Sequence, residues 1–289
     1  MVILGLGYSG AAIAREALAA GFSVTGTRRD PVSGPPVPGV EIIPFADASD
    51  AVRAASHIVS TAAPLPQGDP GLLAHRGALR DNTGLRWIGY LSTTGVYGDR
   101  GGAWVDERSH PAPGQDRSRL RLAAEQGWAD FSDRAAVDLF RTGGIYGPER
   151  SPFDELRAGV ARRIVKPGHS FSRIHRDDIA QAVVAAALSP PAPGVRVLHL
   201  VDDEPCPQAE FLAEAARLLG LPPPPEVPYE QAAATMSPMA RSFWAENRKV
   251  SSALTKAALK IAWRYPSYRE GLAATLAAET GAPPAAAGA

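Results

Sequence analysis

The chain has 289 residues and a mass of 30.3 kDa, which is enough to bury a full hydrophobic core. Its 30 basic and 30 acidic residues give a formal net charge of zero and no overall field for nucleic acid. No apolar stretch reaches the ~20 residues of a membrane span, and a single cysteine, Cys206, excludes an internal disulfide. These features predict a soluble cytoplasmic protein that binds neither nucleic acid nor membrane.

Short apolar segments that favour β-strands alternate with alanine-rich segments of helical length. The predicted strands are residues 2–4, 22–27, 40–45, 57–61, 86–92, 137–141 and 195–201. Helices are predicted between them, for example over residues 11–20, which end before Gly21 as helices prefer, and over residues 123–131. Strands separated by helices form right-handed crossovers, so we predict an α/β fold of the Rossmann type with a doubly wound parallel sheet.

The pattern changes after Arg150, where residues 151–172 show no regular periodicity. Helical spacing returns over residues 177–188 and again over residues 208–219, where the spacing is amphipathic. We therefore predict a dinucleotide-binding Rossmann domain over residues 1–150, with residues 173–201 returning to its sheet, a smaller, mostly helical C-terminal substrate-binding lobe over residues 151–172 and 202–280, and a disordered tail over residues 281–289.

A glycine-rich motif directly follows the first predicted strand and opens the first predicted helix. It is a G-x-G-x-x-G formed by Gly5, Gly7 and Gly10, with Tyr8 and Ser9 before the last glycine. The first glycine makes a tight turn, the second lets the backbone approach a pyrophosphate, and the third allows close helix–strand packing. The motif predicts a dinucleotide cofactor with its phosphates at the helix N-terminus.

Two arginines at the end of the second predicted strand bear on the choice of cofactor. An acidic residue about 20 positions beyond the glycines holds the ribose of NAD, whereas an arginine accommodates the 2′-phosphate of NADP. Arg28 stands at that place and Arg29 follows it, which predicts NADP. Asp30 comes one position later and keeps NAD as the alternative.

Further cofactor contacts are predicted after the third and fourth strands, where this fold lines the adenine and ribose. The residues at these places are Asp47, Thr61, Ala62 and Ala63. A role as ordinary loop residues is the alternative for each of them. They complete the predicted cofactor site.

The segment Leu91-Ser-Thr-Thr-Gly-Val-Tyr-Gly-Asp99 resembles the fifth-strand motif of the extended short-chain dehydrogenase/reductases, the epimerase/dehydratase branch. Three further segments, residues 105–107, 141–148 and 173–179, agree with this family in the same order, over about the first two hundred residues. Residues 263–272 resemble an atypical bacterial subgroup of NAD(P)-dependent epimerase/dehydratase-like proteins. The resemblance implies the fold, whereas the chemistry depends on the site.

The family's catalytic Tyr-x-x-x-Lys is missing. The chain has no tyrosine between Tyr97 and Tyr146 and no lysine before Lys166. Counting back from the Ala124-Glu125 pair, the resemblance places Arg117 at the tyrosine position and Arg121 at the lysine position. A guanidinium stays protonated and cannot act as a base, although Arg121 could still order the nicotinamide ribose as a fixed cation.

Other residues must then carry any catalysis. The resemblance implies that Thr93 polarises the substrate oxygen, as a Ser or Thr does at this place in the family. Tyr97 and Tyr146 are candidate proton donors, with packing and loop shaping as their alternative roles. His175 has a suitable ordinary pKa and is a candidate pocket residue at a helix start. The six histidines show no spacing typical of metal ligands, so no metal is predicted.

Two functions remain open from the sequence. The first is an NADP(H)-dependent oxidoreductase or epimerase/dehydratase-like enzyme acting on a polar small molecule, a sugar derivative among the alternatives. The second is a non-catalytic NADP(H)-binding regulator or redox sensor, which the missing Tyr-Lys pair favours. Thr93 and the second lobe favour the enzyme. The oligomeric state is left open, with a homodimer as one alternative.

Overall fold

A seven-stranded parallel sheet forms the centre of the protein. The structure, a computed structural model, describes residues 1–281, so the predicted tail lies outside the described residues except for Gly281. The strands are β1 (Val2–Leu4), β2 (Thr25–Arg28), β3 (Glu41–Pro44), β4 (His57–Ser60), β5 (Trp87–Thr93), β6 (Ala136–Thr142) and β7 (Gly194–Leu200). Their order across the sheet is β7-β6-β5-β4-β1-β2-β3, and every neighbouring pair is parallel. The predicted doubly wound fold is confirmed.

The described residues contain eleven helices, and some of them cover both faces of this sheet. They are α1 (Tyr8–Ala19), α2 (Ser49–Ala54), α3 (Pro70–Asp81), α4 (Asp116–Ala129), α5 (Phe153–Arg157), α6 (Arg176–Leu188), α7 (Gln208–Leu218), α8 (Tyr229–Ala233), α9 (Pro238–Trp244), α10 (Ala253–Leu259) and α11 (Tyr268–Thr280). Buried residues of α1 and α6 share one apolar cluster, and those of α2, α3 and α4 share the cluster on the opposite face. Within residues 1–281 no helix has both the length and the apolar character that crossing a membrane requires.

Helix α4 begins at Asp116, seven positions before the predicted start at residue 123. Its early turns are polar and carry Arg117 and Arg121, so they lack the apolar periodicity of a core-facing helix. The buried residues Ala124 and Trp128 lie in the later turns and join the core. The helix was therefore predicted only where it contacts the core.

Segment 151–172, predicted to be irregular, contains α5 and the strand Arg163–Val165, which pairs with Glu226–Pro228. Two other short parallel pairs join Gly144–Tyr146 to Arg173–His175 and Trp104–Val105 to Lys249–Val250. A separate apolar cluster includes Phe153, Phe211 and Tyr268, from α5, α7 and α11. These later segments stand beyond the carboxyl edge of β6, where they complete a cavity.

Asp202 lies buried just after β7 and gives the protein a pH-dependent stability. Burial raises the pKa of its carboxyl to about 8, while Arg173 and the N–H of Glu204 act in the opposite direction. Unfolded aspartate ionises near pH ~4, so the native state holds an extra proton above that pH. Its contribution to stability is complete below about pH 4 and is lost as the pH rises to about 8.

We expect Asp202→Asn to remove this pH dependence, because the amide carries no charge. The free energy of unfolding of the variant, relative to wild type, should rise between pH 5 and pH 8. Urea unfolding at four pH values across that range measures the difference. Parallel curves for the two proteins would show that Asp202 titrates normally in the fold.

Candidate active site

A cavity of about 900 Å³ lies at the carboxyl ends of β1, β2 and β4, where the glycine motif turns into α1. Gly5 has a φ of 107°, a conformation that favours glycine. Its N–H donates to Thr27 Oγ1 (3.0 Å), and Thr61 Oγ1 donates to its carbonyl oxygen (2.5 Å). These bonds fix the turn at the edge of the sheet, where parallel α/β folds bind ligands.

The other two glycines serve different purposes. A Cβ at Gly10 would lie 2.2 Å from the Gly5 carbonyl oxygen, so the close packing of helix on strand requires glycine there. A Cβ at Gly7 would meet no atom of residues 1–281 within 4 Å, because this position faces the open cavity. Gly7 is also the N-cap of α1 and has no side chain to satisfy the first N–H groups. The cradle therefore fits a pyrophosphate.

Both predicted arginines line this cavity, but they differ in their contacts. Arg28 donates to the carbonyl oxygens of Leu6 (3.3 Å), Ser33 (2.6 Å) and Pro35 (2.6 Å). It therefore shapes the loop over residues 33–37, which forms one wall of the cavity. Arg29 is exposed beside it. Arg29, which follows the expected position, is thus better placed than Arg28 to contact a ligand.

Of the other predicted cofactor residues, Thr61, Ala62 and Ala63 line the cavity, whereas Asp47 does not. Asp47 ends a 3-10 turn that begins at Phe45, and the ring of Phe45 faces the cavity instead. The turn therefore places Phe45 at the cavity wall, and the cofactor contact of Asp47 stays a prediction. Ser9 is buried within α1 and also lies outside the cavity lining.

The sequence did not predict that residues 148–150 and Arg176 lie against the glycine motif. The ring of Tyr8 lies between two guanidinium groups, with Arg150 at 4.7 Å and Arg176 at 4.8 Å from the ring centre. The Tyr8 hydroxyl donates to the Pro148 carbonyl oxygen (2.8 Å). Arg176 and Glu149 line the cavity. The glycine motif is therefore covered by the segment after β6 and by the start of α6.

A second cavity, of about 490 Å³, lies along the same edge of the sheet at the ends of β5 and β6. Thr93 lines it from the end of β5, and its hydroxyl accepts the N–H of Gly95 (3.1 Å). Arg117 and Arg121, four positions apart on one face of α4, line it too. The structure thus brings together Thr93 and the two residues that replace the family's Tyr-Lys pair.

Residues distant in sequence form the rest of this second cavity. Phe171, Phe243 and Trp244 supply aromatic side chains, and Arg173 and Arg248 supply two more guanidinium groups. They come from the segment after α5 and from the region of α9. No local sequence pattern marked them, because only the fold brings them to the ends of β5 and β6.

Tyr146 does not reach either cavity. Its side chain is buried against Phe211 and His175, and its hydroxyl donates to the Ser267 carbonyl oxygen (3.4 Å). A Cβ at Gly271 of α11 would lie 2.0 Å from this hydroxyl, so the ring fills the space that glycine leaves. Burial raises the pKa of Tyr146 far above its ordinary value. The structure contradicts the prediction that Tyr146 supplies a proton to substrate.

Tyr97 is likewise fully buried and belongs to a polar network below the second cavity. Its hydroxyl accepts from Arg141 Nη1 (2.7 Å) and contacts His199 Nε2 (2.5 Å). Because His199 Nδ1 faces the Ser251 carbonyl oxygen (2.7 Å), Nδ1 carries the proton and Nε2 accepts from Tyr97. Burial raises the pKa of Tyr97 to about 12. The packing alternative for Tyr97 is supported, and the prediction of a catalytic role is not.

His175 is the N-cap of α6, where its Nδ1 accepts the N–H of Asp177 (3.2 Å). Its Nε2 lies 3.3 Å from Thr275 Oγ1, and burial lowers the pKa of the ring to about 4. Asp178, in the first turn of the helix, accepts the N–H of Arg264 (2.6 Å). His175 is therefore a structural residue and not a pocket residue.

No family model matches the chain, but it is similar in sequence to the two proteins described next. It is 27% identical over 249 residues to protein YeeZ of Escherichia coli K12, covering 78% of this chain and 85% of that protein. Over 173 residues it is 31% identical to a 3-diazoavenalumate denitrifying reductase of Streptomyces sp, covering 56% of this chain and 54% of that protein.

Among solved structures, a conserved protein of unknown function from Silicibacter pomeroyi is 39% identical, with a TM-score of 0.87 over 96% of this chain and 98% of that one. A proposed NAD-dependent epimerase/dehydratase from Methylobacillus flagellatus is 25% identical, with a TM-score of 0.71 over 96% and 98%. The human epimerase family protein SDR39U1 with NADPH is 19% identical, with a TM-score of 0.70 over 94% and 96%.

The chain belongs to the same family as the conserved protein from Silicibacter pomeroyi, and its fold is that of proteins described as NAD-dependent epimerase/dehydratases and of a human epimerase family protein. The likeness at 39% identity covers nearly the whole of both chains, beyond the two hundred residues over which the sequence motifs agree. It includes the later segments that complete the second cavity. The resemblance drawn from the motifs is therefore confirmed.

Proposed function

We propose that this protein is an NADP(H)-dependent oxidoreductase acting on a polar small molecule. The observation that carries the proposal is the position of the two cavities on one edge of the sheet, one with the phosphate cradle and the other with Thr93. The human relative, whose structure contains NADPH, and the epimerase/dehydratase described as NAD-dependent support a nicotinamide dinucleotide. When bound, that cofactor supplies or accepts a hydride.

We expect NADPH to bind at least about tenfold more tightly than NADH. A charge-assisted bond from Arg29 to the 2′-phosphate contributes roughly 1.5–3 kcal/mol, while Arg28 holds the adjoining loop. Calorimetry on wild type, Arg29→Met and Arg28→Met measures the preference. Met at position 29 should reduce NADPH affinity alone, whereas Met at position 28 should also weaken NADH binding. Equal affinities for the two cofactors in wild type would contradict the assignment.

The replacement of the Tyr-Lys pair restricts the reaction. Arg117 and Arg121 stay protonated and cannot transfer a proton near neutral pH. The two candidate proton donors, Tyr97 and Tyr146, line neither cavity. Hydride transfer to an aryl diazonium cation forms a C–H bond as the C–N bond breaks and N2 leaves, so it creates no alkoxide and balances without a proton from the protein. The name of the Streptomyces relative describes reduction of a diazo compound with loss of nitrogen, which is a reaction of this kind. We propose an acceptor of the same general type for this chain.

A non-catalytic regulator that binds NADP(H) is the second candidate, favoured by the same missing pair. We expect Thr93→Val to lower turnover by roughly 10²-fold while cofactor affinity stays unchanged, because Thr93 lines only the second cavity. Single-turnover oxidation of NADPH, followed with a panel of diazo and carbonyl acceptors, measures this. An unchanged rate in Thr93→Val would exclude the proposed role of Thr93. If no acceptor is reduced by wild type, the regulator becomes the better account.

A further inference from the structure

The second cavity carries a strong excess of positive charge. Four arginines line it, Arg117, Arg121, Arg173 and Arg248, against one carboxylate, that of Glu246. A ligand that enters such a cavity leaves water, where its charge is well solvated, and must find a matching charge inside. The cavity therefore favours an anionic substrate.

Two of the four guanidinium groups are already committed to the protein. Arg121 donates to the carbonyl oxygen of Leu91 (2.6 Å) and to the hydroxyl of Tyr90 (3.2 Å). Arg173 donates to the carbonyl oxygens of Phe171 (3.2 Å) and Cys206 (3.0 Å). These bonds, all from Nη1, hold both side chains against the cavity wall without neutralising their charge.

Arg117 and Arg248 are incompletely satisfied. Arg117 lies over the ring of Phe243 (4.0 Å), and its Nη1 contacts the weak acceptor Met239 Sγ (3.4 Å). Arg248 donates from Nη1 to Glu246 Oε2 (2.9 Å) and to the Gly98 carbonyl oxygen (2.9 Å), but its buried Nε has no hydrogen-bond partner among residues 1–281. Burial lowers the pKa of both guanidinium groups, which an anion bound beside them would offset.

The net charge of the cavity lining and the aromatic character of its walls define the ligand further. The four arginines and Glu246 together carry a net charge of +3, because bonds to neutral oxygens do not remove the charge of Arg121 or Arg173. The rings of Phe171, Phe243 and Trp244 line the same cavity and suit a planar apolar body. We infer that the substrate is an aromatic carboxylate whose carboxylate group binds between Arg117 and Arg248. Calling this ligand a substrate rests on the proposed function, whereas its binding site is inferred from these contacts alone.

Binding of a matched pair of probes tests the inference. Cinnamate and its neutral amide, cinnamamide, have nearly the same shape, so their affinities differ through the charge. We expect calorimetry on the full chain, with and without NADPH, to show cinnamate binding at least about tenfold more tightly than cinnamamide. UDP-glucose, which presents a polar sugar to the aromatic walls in place of a planar apolar body, should bind more weakly than cinnamate.

Arginine variants locate the site. Arg117→Met and Arg248→Met should each weaken cinnamate binding by about tenfold and leave cinnamamide and NADPH binding unchanged. Arg119→Met is the control, since this residue removes the same charge from α4 but does not line the cavity. If Arg248→Met does not fold, Arg117→Met decides the result. Equal binding of the two cinnamyl probes, tighter binding of UDP-glucose, or absence of cinnamate binding would each overturn the inference. If the wild-type protein does not bind NADPH, that result contradicts the proposed function instead.

Discussion

Gly7→Val is expected to reduce NADPH affinity by at least about 100-fold without unfolding the protein. The added side chain would stand in the cavity where the pyrophosphate must approach the backbone. Since a Cβ there meets no atom of residues 1–281 within 4 Å, the fold itself has room for it. Calorimetry with NADPH and the thermal unfolding midpoint of the same preparation measure the two effects separately.

Gly77→Val is the matched control for this variant. Gly77 lies exposed on α3, and a Cβ there also meets no atom of the described residues within 4 Å. It is far from the cavity lining, so NADPH affinity should not change. If Gly7→Val bound NADPH as tightly as the control did, the glycine motif would be only a turn.

Arg141→Met is expected to lower the free energy of unfolding by about 3–5 kcal/mol. Arg141 Nε and Nη2 donate to both carboxylate oxygens of Glu125 at 3.0 and 2.7 Å, and the two side chains are only 5% and 3% exposed. Removing the guanidinium leaves the Glu125 charge buried without its partner and also removes a donor to Tyr97. Urea unfolding monitored by tryptophan fluorescence measures the loss.

Two comparisons isolate the buried charge as the cause. Arg53→Met breaks an exposed pair with Asp50 and should cost less than about 1 kcal/mol. The double variant Arg141→Met with Glu125→Gln should be more stable than Arg141→Met alone, since it removes the unpaired charge. A double variant no more stable than the single one would attribute the loss to packing.

The sequence predicted the fold well because its strands are buried on both faces. Residues 87–92 are continuously apolar, aromatic or small, and the structure has the interior strand Trp87–Thr93 there. The glycine motif was interpretable for a related reason, since the close contact between Gly10 and Gly5 leaves few alternatives. Where a local pattern directly reflects packing, the prediction was accurate.

The candidate site was less predictable because its geometry depends on contacts between distant residues. The motif that contains Tyr146 predicted a loop residue near the crevice, but the space beside Gly271, more than one hundred positions later, draws the ring into the core. Phe171 and Trp244 were not predicted as cavity residues because their own segments carry no periodicity that indicates it. Side-chain direction at the end of a strand is decided by what packs against it.

Arg117 and Arg121, on the side of α4 that lines the second cavity, have a consequence for how this cavity responds to pH. In family members that have the Tyr-Lys pair, proton transfer requires the tyrosine and the lysine to be in the right protonation states, so activity depends on pH. Here guanidinium groups occupy both places, and they stay charged at any pH a cell experiences. The buried tyrosines below do not exchange protons with the cavity. These two side chains therefore offer a ligand a positive charge that does not change with acidity.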